Sequence, residues 1–382
     1  MKFIHTSDWH IGRLFQNISL LEDQLHVLQQ LKAYASEYNV DALIISGDVF
    51  DRSVPPAEAV DALDQFLDEI IGELEIPVIM ISGNHDSAKR LRFGAKHMQQ
   101  SGLHILSQLS DVTTPVIIET ATGPVHFYGL PYHDPVEVRE AFACEVKTYD
   151  EAHTYLVDLV KDARIADTPA VLLSHCFIDG AEESDSERPL SIGGADRVSY
   201  QALEDFDYVA LGHLHGPQYK GKEHIRYSGS LLKYSFSEYK QNKGITLVEL
   251  NEQGLVSTEH LQLTPEKDLR VIEGLLDELI EQGKKDPRNY DYILAKLTDK
   301  QDILDPMGQL RKVYPNVLQL ERTQFSLSKG SRLVADVSLK RTEQQVFKDF
   351  FEQVIGNALT EEQNTLLLDI IAEAKDVIEA AE

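Results

Sequence analysis

Only two cysteines, Cys144 and Cys176, occur in the 382 residues, too few and too far apart for a disulfide scaffold. Such cysteine usage suits a reducing cytoplasm. Cys176 directly follows His175, which invites a metal reading. No second cysteine offers the paired spacing of a zinc site, however, so Cys176 reads as a buried thiol. Long apolar runs are also missing. Nothing approaches the roughly 18 uninterrupted apolar residues of a membrane span, so no membrane association is expected. The opening MKFIHTSDWH turns polar too early for a signal peptide. Internal repeats and low-complexity stretches are absent. Positive charge is scarce: 36 basic residues stand against 63 acidic ones, a net charge of −27. That is the wrong sign for a protein that grips nucleic acid with a broad basic face. A nucleic-acid function would need a local positive site, a partner, or both.

What is present is a globular composition, 42% hydrophobic and 26% charged, over a length too great for one core. The first part alternates short apolar runs with amphipathic stretches, the pattern of an α/β domain. Strands are predicted at Phe3–Thr6, Ala42–Ser46 and Val78–Ser82. Helices are predicted at Leu21–Tyr38, at Ala57–Glu73 behind the pair Pro55 and Pro56, and at Ala88–Met98. Strands then crowd together at Val116–Glu119, Val125–Tyr128, Val171–Ser174, Tyr208–Leu211 and Ile245–Leu250, which suggests a mixed sheet or a two-sheet sandwich. A boundary falls near Pro265. Beyond it, strands at Leu269–Ile272, Tyr290–Leu297 and Asn316–Leu320 frame helices at Leu275–Gln282 and Ile303–Val313, a small α/β module. From about Thr342 the period is helical, through Val346, Phe350, Phe351, Val354 and Ile355. A second stripe follows at Leu366, Leu367, Ile370, Ile371, Ala374 and Ile378, with Thr360 as its cap.

Five polar clusters each stand directly after an apolar run: Ser7-Asp8-Trp9-His10, Gly47-Asp48-Val49-Phe50-Asp51, Gly83-Asn84-His85-Asp86, Ser174-His175 and Gly212-His213-Leu214-His215. The carboxyl ends of strands are where α/β folds place their sites, so five such ends point to one rim. Asp8 and His10 are two apart in extended chain, as are His213 and His215, and each pair can face a common region. Glycines 47, 83 and 212 allow tight turns and close approach. The other histidines (His5, His26, His97, His104, His126, His133, His153, His224 and His260) read as packed or surface residues.

Two carboxylates, one amide oxygen and four imidazoles make seven ligands: Asp8, His10, Asp48, Asn84, His175, His213 and His215. Seven are too many for one catalytic ion and suit two, with Asp48 in the middle as the bridging carboxylate. A set so rich in imidazole fits Mn2+, Fe2+ or Zn2+ better than Mg2+ or Ca2+. Two divalent ions against two carboxylates leave a local charge of about +2, which lets an acidic protein hold a phosphate. Such ions stand roughly 3.5–4 Å apart and acidify a shared water for in-line attack. His85, beside Asn84 and left over from the ligand set, is the catalytic candidate for the leaving group.

These signatures (Asp-x-His, Gly-Asp, Gly-Asn-His-Asp and Gly-His-x-His) resemble those of the calcineurin-like metallophosphoesterases. The segments HTSDWHIGR, SGDVFDRSVPP, SGNHDSAKRL, SIGGADRVS, FDYVALGHLHGPQ and YSGSLLKYSFSE are similar, within that superfamily, to the SbcD-type nuclease subunits of the DNA double-strand-break repair family. The resemblance is dense over about residues 1–250 and thinner beyond 265. It implies an α/β metallophosphoesterase β-sandwich flanked by helices over residues 1–265. It further implies a small α/β capping domain over 266–325 and a C-terminal helical segment, 326–382, for docking a partner ATPase. It implies two Mn2+ ions, one held by Asp8, His10, Asp48 and His215, the other by Asp48, Asn84, His175 and His213, with His85 as catalytic histidine. Archaeal relatives carry a histidine where this chain has Asp51. The implied activity is hydrolysis of DNA phosphodiesters, as duplex exonuclease and as endonuclease on single strands and hairpins, in repair, recombination and replication. The implied partners are DNA and an SbcC-type coiled-coil ATPase, around a homodimer within a heterotetramer.

The metal clusters alone also allow a small-molecule phosphatase or cyclic-nucleotide phosphodiesterase. A scaffold without chemistry would have lost ligands, and none is missing here. The module after Pro265 and the apolar-striped tail favour the nuclease, since a small-molecule phosphatase needs neither. The tail from Arg341 to Glu382 carries three basic and ten acidic residues, so it suits a protein partner and not DNA.

Overall fold

A computed structural model describes residues 1–121, 123–187, 196–322, 344, 347, 348, 351 and 359–379. The chain divides into two compact units, Met1–Leu269 and Arg270–Glu382.

The first unit is built on two six-stranded sheets. One runs Gly254–Gln262, Gly244–Asn251, Lys2–Thr6, Ala42–Ser46, Val78–Ile81 and Leu103–Leu106 in hydrogen-bonded order. Its last four strands are parallel, and the first two are added antiparallel. The other runs Gln218–Lys220, Lys222–Tyr227, Tyr208–Gly212, Ala170–His175, Gly123–Leu130 and Val116–Thr120, with a parallel centre and antiparallel edges. Side chains alternate across each strand, and here both alternating sets are buried. Phe3, Ile44, Ile79 and Ile81 of one sheet meet Phe127, Val171, Leu173, Tyr208 and Ala210 of the other. The intervening Tyr128, Leu172, Val209 and Leu211 point out, onto Leu156, Val157 and Val160 of the helix Tyr149–Ala163. Burial on two faces is why these strands read as unbroken apolar runs instead of alternating ones. Phe3 packs edge-on against Phe127 and Tyr208, with ring centroids 5.6 Å apart in both pairs, pinning the sheets together.

Several expected elements are altered. The helix expected at Ala88–Met98 is two short pieces, Ala88–Leu91 and Ala95–Met98, because Gly94 takes φ +76 and ends the first ladder. The stretch expected as one helix at Ala57–Glu73 is α-helical to Leu67 and finishes in a π-helical turn, Asp68–Glu73. Sequence reading missed the strand pair Gln218–Lys220 and Lys222–Tyr227, the strand Gly254–Gln262, and the helices Pro135–Phe142 and Tyr149–Ala163.

The second unit holds a three-stranded sheet, Leu269–Gly274, Tyr292–Leu297 and Val317–Arg322, with the helices Leu276–Gly283 and Pro306–Arg311. The second of these starts later than the expected Ile303. Pro306 can only occupy a first turn, and the Asp305 carboxylate caps it by accepting from the Gly308 N–H at 3.0 Å. The helix Glu361–Glu379 is opened by a reciprocal pair in which Gln363 N–H donates to Thr360 Oγ1 at 3.3 Å and Thr360 N–H to Gln363 Oε1 at 3.0 Å. On this helix Leu366 and Ile370 of the expected stripe are exposed, as is Leu368, while Leu367 is buried. The expected stripe residues Val346, Phe350, Val354 and Ile355 lie outside the described residues, as do the side chains of Ala374 and Ile378 and most of the SIGGADRVS segment. Among the described residues, no helix is long and apolar enough to cross a membrane.

Candidate metal centre

All five polar clusters sit at the carboxyl ends of parallel strands, three from one sheet and two from the other. The rim is thus shared by both halves of the sandwich. Past the ends of Lys2–Thr6 and Ala42–Ser46 the two loops stay paired. Asp8 N–H donates to the Gly47 carbonyl at 3.0 Å, His10 N–H to that of Asp48 at 2.9 Å and Ile11 N–H to that of Val49 at 3.0 Å. These bonds hold backbone that would not otherwise persist. Asp8, His10, Asp48 and His213 take φ of 53°, 45°, 50° and 105°. Left-handed conformations of this kind cost non-glycine residues about 1–3 kcal/mol each, and they cluster at working sites.

Two glycines allow the sheets to close on the rim. A Cβ on Gly212 would lie 1.9 Å from the Ser46 carbonyl oxygen, and one on Gly83 would lie 2.1 Å from Asp48 Oδ1. A side chain at either position would push one cluster away from another.

The seven expected ligands converge. His10 Nε2 is 3.1 Å from His215 Nε2, and Asp48 Oδ2 is 3.7 Å from His10 Nε2 and 3.5 Å from His175 Nε2. Asn84 Oδ1 lies 2.9 Å from His175 Nε2 and 3.2 Å from His213 Nδ1. Asp8 accepts from the His213 N–H with both oxygens, at 3.0 and 3.1 Å. Donor atoms of Asp8, His10 and His215 lie within 4.8 Å of one another, and so do those of Asp8, Asp48 and His175. Asp48 is the carboxylate that reaches both sides.

The proton inventory of this group calls for a cation. His175 Nδ1 stands 2.8 Å from the Ser46 carbonyl, which can only accept, so this nitrogen carries hydrogen. That leaves Nε2 turned toward two further acceptors, Asn84 Oδ1 and Asp48. Burial opposes a proton on His175, but Asp48 and Asp8 overrule it and raise its pKa to about 9. His213 is driven the other way, down to about 3 by burial, and is a neutral imidazole with a free lone pair. The amide nitrogen of Asn84 and Nδ1 of His10 are buried without a hydrogen-bond partner. Imidazole nitrogens and carboxylate and amide oxygens aimed at common points, beside buried polar atoms left without partners, fit divalent metal ions.

His85 is placed beside this set, not within it. Its N–H donates to Asp48 Oδ1 at 2.8 Å, and its ring Nδ1 lies 2.8 Å from the main-chain carbonyl of Asp51. The Asp51 carboxylate instead takes the Arg13 guanidinium at 3.1 Å, while Arg13 stacks over the Tyr234 ring at 4.9 Å. Donor atoms of His10, Asp51 and His85 also fall within 4.8 Å of one another.

Sequence reading gave no role to several residues that shape the rim. The Asp86 carboxylate gathers the N–H groups of Val49, Phe50 and Gly83 at 3.1, 3.0 and 2.9 Å, locking two loops together. Behind His215 stand Ser186, Glu187, Glu238 and Lys243. Only the presence of Glu238 at the end of YSGSLLKYSFSE hinted at them. The histidines read as packed behave so: His5 is buried, bonded to the Tyr208 hydroxyl at 2.9 Å and near the Leu211 carbonyl at 3.2 Å. Cys176 is a buried thiol whose pKa burial pushes up to about 12, which leaves it inert.

Comparison with known proteins gives matches along both units. Residues 1–217 match the family described as calcineurin-like phosphoesterase, and residues 265–354 match that described as type 5 capsule protein repressor C-terminal domain. The SbcD component of the SbcCD nuclease from Staphylococcus epidermidis is 34% identical over 374 residues, spanning 97% of this chain and 98% of its own. Among solved structures, a Thermus thermophilus protein is 14% identical with a TM-score of 0.39, covering 68% of this chain and 98% of that one. A dimetal phosphatase from Danio rerio is 12% identical with a TM-score of 0.40, covering 69% and 99% respectively.

Proposed function

The chain belongs to the calcineurin-like phosphoesterases and, within them, to the SbcD nuclease subunits; from that premise we propose that it is an Mn2+-dependent DNA nuclease. The observation that carries the reading is Asp48, which faces His10 on one side and His175 on the other, inside a ring of seven donors. Asp8, His10, Asp48 and His215 would hold one ion, and Asp48, Asn84, His175 and His213 would hold the other. When bound, the pair would supply Lewis-acid charge for the phosphodiester and would acidify the attacking water.

The chain's own residues do the rest. Asp86 and the paired loops keep the donors in place without substrate, so little reorganisation is needed on binding. His85 Nδ1 donates to the Asp51 carbonyl, and in the imidazolium form Nε2 carries the second proton, which passes to the departing oxygen and leaves the neutral ring. Arg13 adds a positive group near the rim, although its pairing with Asp51 consumes part of that charge.

The substrates proposed are duplex ends, cut exonucleolytically, and single strands and hairpins, cut endonucleolytically, in the cytoplasm. The net charge of −27 argues that affinity for DNA comes mainly from a coiled-coil ATPase partner of the SbcC type. Residues 266–325 serve as a cap that shapes DNA access, residues 326–382 dock the ATPase, and the nuclease works as a homodimer within a heterotetramer.

The test incubates the protein and Mn2+ with end-labelled hairpin DNA, with and without the ATPase, beside a cyclic nucleotide. Cleavage of the hairpin without turnover of the nucleotide supports the proposal. The opposite pattern replaces it with a small-molecule phosphodiesterase.

A further inference from the structure

Two neighbouring imidazoles of the centre, His10 and His215, are supported differently. His10 Nδ1 has no hydrogen-bond partner. His215 is gripped at three points. Its N–H donates to Glu187 Oε1 at 2.8 Å, its carbonyl accepts from the buried Lys243 ammonium at 2.7 Å, and its ring Nδ1 lies 2.6 Å from Ser186 Oγ. Behind Ser186 stands Glu238, wholly buried, whose Oε1 accepts from the Ser186 hydroxyl. The other carboxylate oxygen of Glu238 pairs with Lys243 at 2.5 Å.

Counting hydrogens gives this chain a direction. Glu238, salt-bridged to Lys243, only accepts, so the single hydroxyl proton of Ser186 goes to it. The neighbouring Ser184 hydroxyl lies 2.9 Å from Ser186 Oγ and 3.3 Å from Glu238 Oε1, but its shortest contact is with the acceptor Glu187 Oε2 at 2.6 Å, where its proton goes. Ser186 Oγ must therefore accept from His215 Nδ1, and His215 is the tautomer protonated there. Its Nε2 lone pair then faces His10 and the metal position.

We propose that Glu238, acting through the Ser186 hydroxyl, is the positioning residue that sets the tautomer and ring angle of His215 as a metal donor. The Ser186 bridge makes this a carboxylate–hydroxyl–imidazole relay, one link longer than the usual carboxylate–imidazole support behind metal ligands. The inference rests on the reading of His215 as a ligand. It assigns to the buried pair of Glu238 and Lys243 a role in the chemistry of the site beyond holding the loop 228–243 in place.

The experiment compares the full-length protein with its Ser186→Ala, Ser186→Thr and His215→Ala variants. Ser186→Ala leaves the Glu238–Lys243 pair intact, so it should fold even where Glu238→Gln does not. Mn2+ binding by calorimetry should then show one ion held as before and the other weakened roughly 10- to 100-fold. Ser186→Thr, which restores the hydroxyl, should recover the affinity. In metal-free protein with 15N-labelled histidines, the His215 ring should report the Nδ1–H tautomer in the parent chain and a mixture in Ser186→Ala. Undiminished binding of both ions by Ser186→Ala, or an unchanged imidazole signal, overturns the relay. His215→Ala separates the two levels. If it keeps both ions, the ligand reading itself fails. If it loses one ion while Ser186→Ala loses none, only the relay fails.

Discussion

His85 takes its orientation from the main-chain carbonyl of Asp51, 2.8 Å from Nδ1, and owes nothing to the Asp51 side chain. A backbone acceptor does this work whatever residue stands at 51. Two outcomes are expected. Asp51→Ala should leave single-turnover cleavage within about tenfold of the parent, because the carbonyl remains. His85→Ala should retain both ions by metal analysis and lose about 100-fold or more in rate. A His85 variant that has lost an ion would make His85 a ligand.

Asn84 and His175 both belong to one side of the centre, joined by the 2.9 Å contact of Oδ1 and Nε2. Asn84→Ala and His175→Ala should each reduce bound Mn2+ from two ions to one and abolish cleavage, with thermal unfolding little changed for Asn84→Ala. Full nuclease activity in either variant at saturating Mn2+ would dismiss the two-metal assignment.

Gly212→Ala tests the close approach of the two sheets. The added methyl would meet the Ser46 carbonyl at 1.9 Å and His175 Nδ1 at 2.9 Å, and neither can withdraw without opening the rim. We expect a loss of about 3 kcal/mol in urea unfolding together with weakened metal binding. A fully stable, fully active variant would show that the rim has more slack than these distances allow.

The pH dependence of stability should carry the mark of buried neutral histidines outside the candidate ligand set. Burial lowers His5 and His153 to about 3, against 6.5 for an exposed ring. The unfolded chain therefore takes up protons on these rings below about pH 6.5, while the native chain takes them up only near pH 3. Stability falls as pH drops through that window, by up to about 1.4 kcal/mol per pH unit for each ring. Neither nitrogen of His153 has a hydrogen-bond partner, so His153→Leu sacrifices no bond. Urea unfolding between pH 6 and 4 should show the variant's slope reduced by about one proton. An unaltered slope would mean that His153 is protonated in the native state.

Charge sets a last expectation. Lys89, Arg90 and Arg92 follow His85 closely in the chain, but they are few against −27. The isolated protein should bind duplex DNA weakly at physiological salt and gain most of its affinity from the ATPase. Tight binding by the lone chain, with a steep salt slope, would contradict this.

Much of the candidate site was legible because each proposed ligand lies within a few residues of the end of an apolar strand. Both the run and the polar cluster after it are local features of the chain, as are the Gly-Asp and Gly-His-x-His spacings. The capping signals Asp134 to Glu137 and Thr148 to Glu151 were equally local and were passed over, so two helices went unread. Sequence also carried the acidic balance and the absence of a disulfide framework. Tertiary structure decided what depends on residues distant in the chain. It brought strand ends from two different sheets to one rim, which no periodicity encodes. It put Ser186 and Glu238, 52 positions apart, into one hydrogen-bonded line behind His215. It also gave the orientation of His85 to a carbonyl, a group every residue possesses and which no sequence pattern can therefore announce.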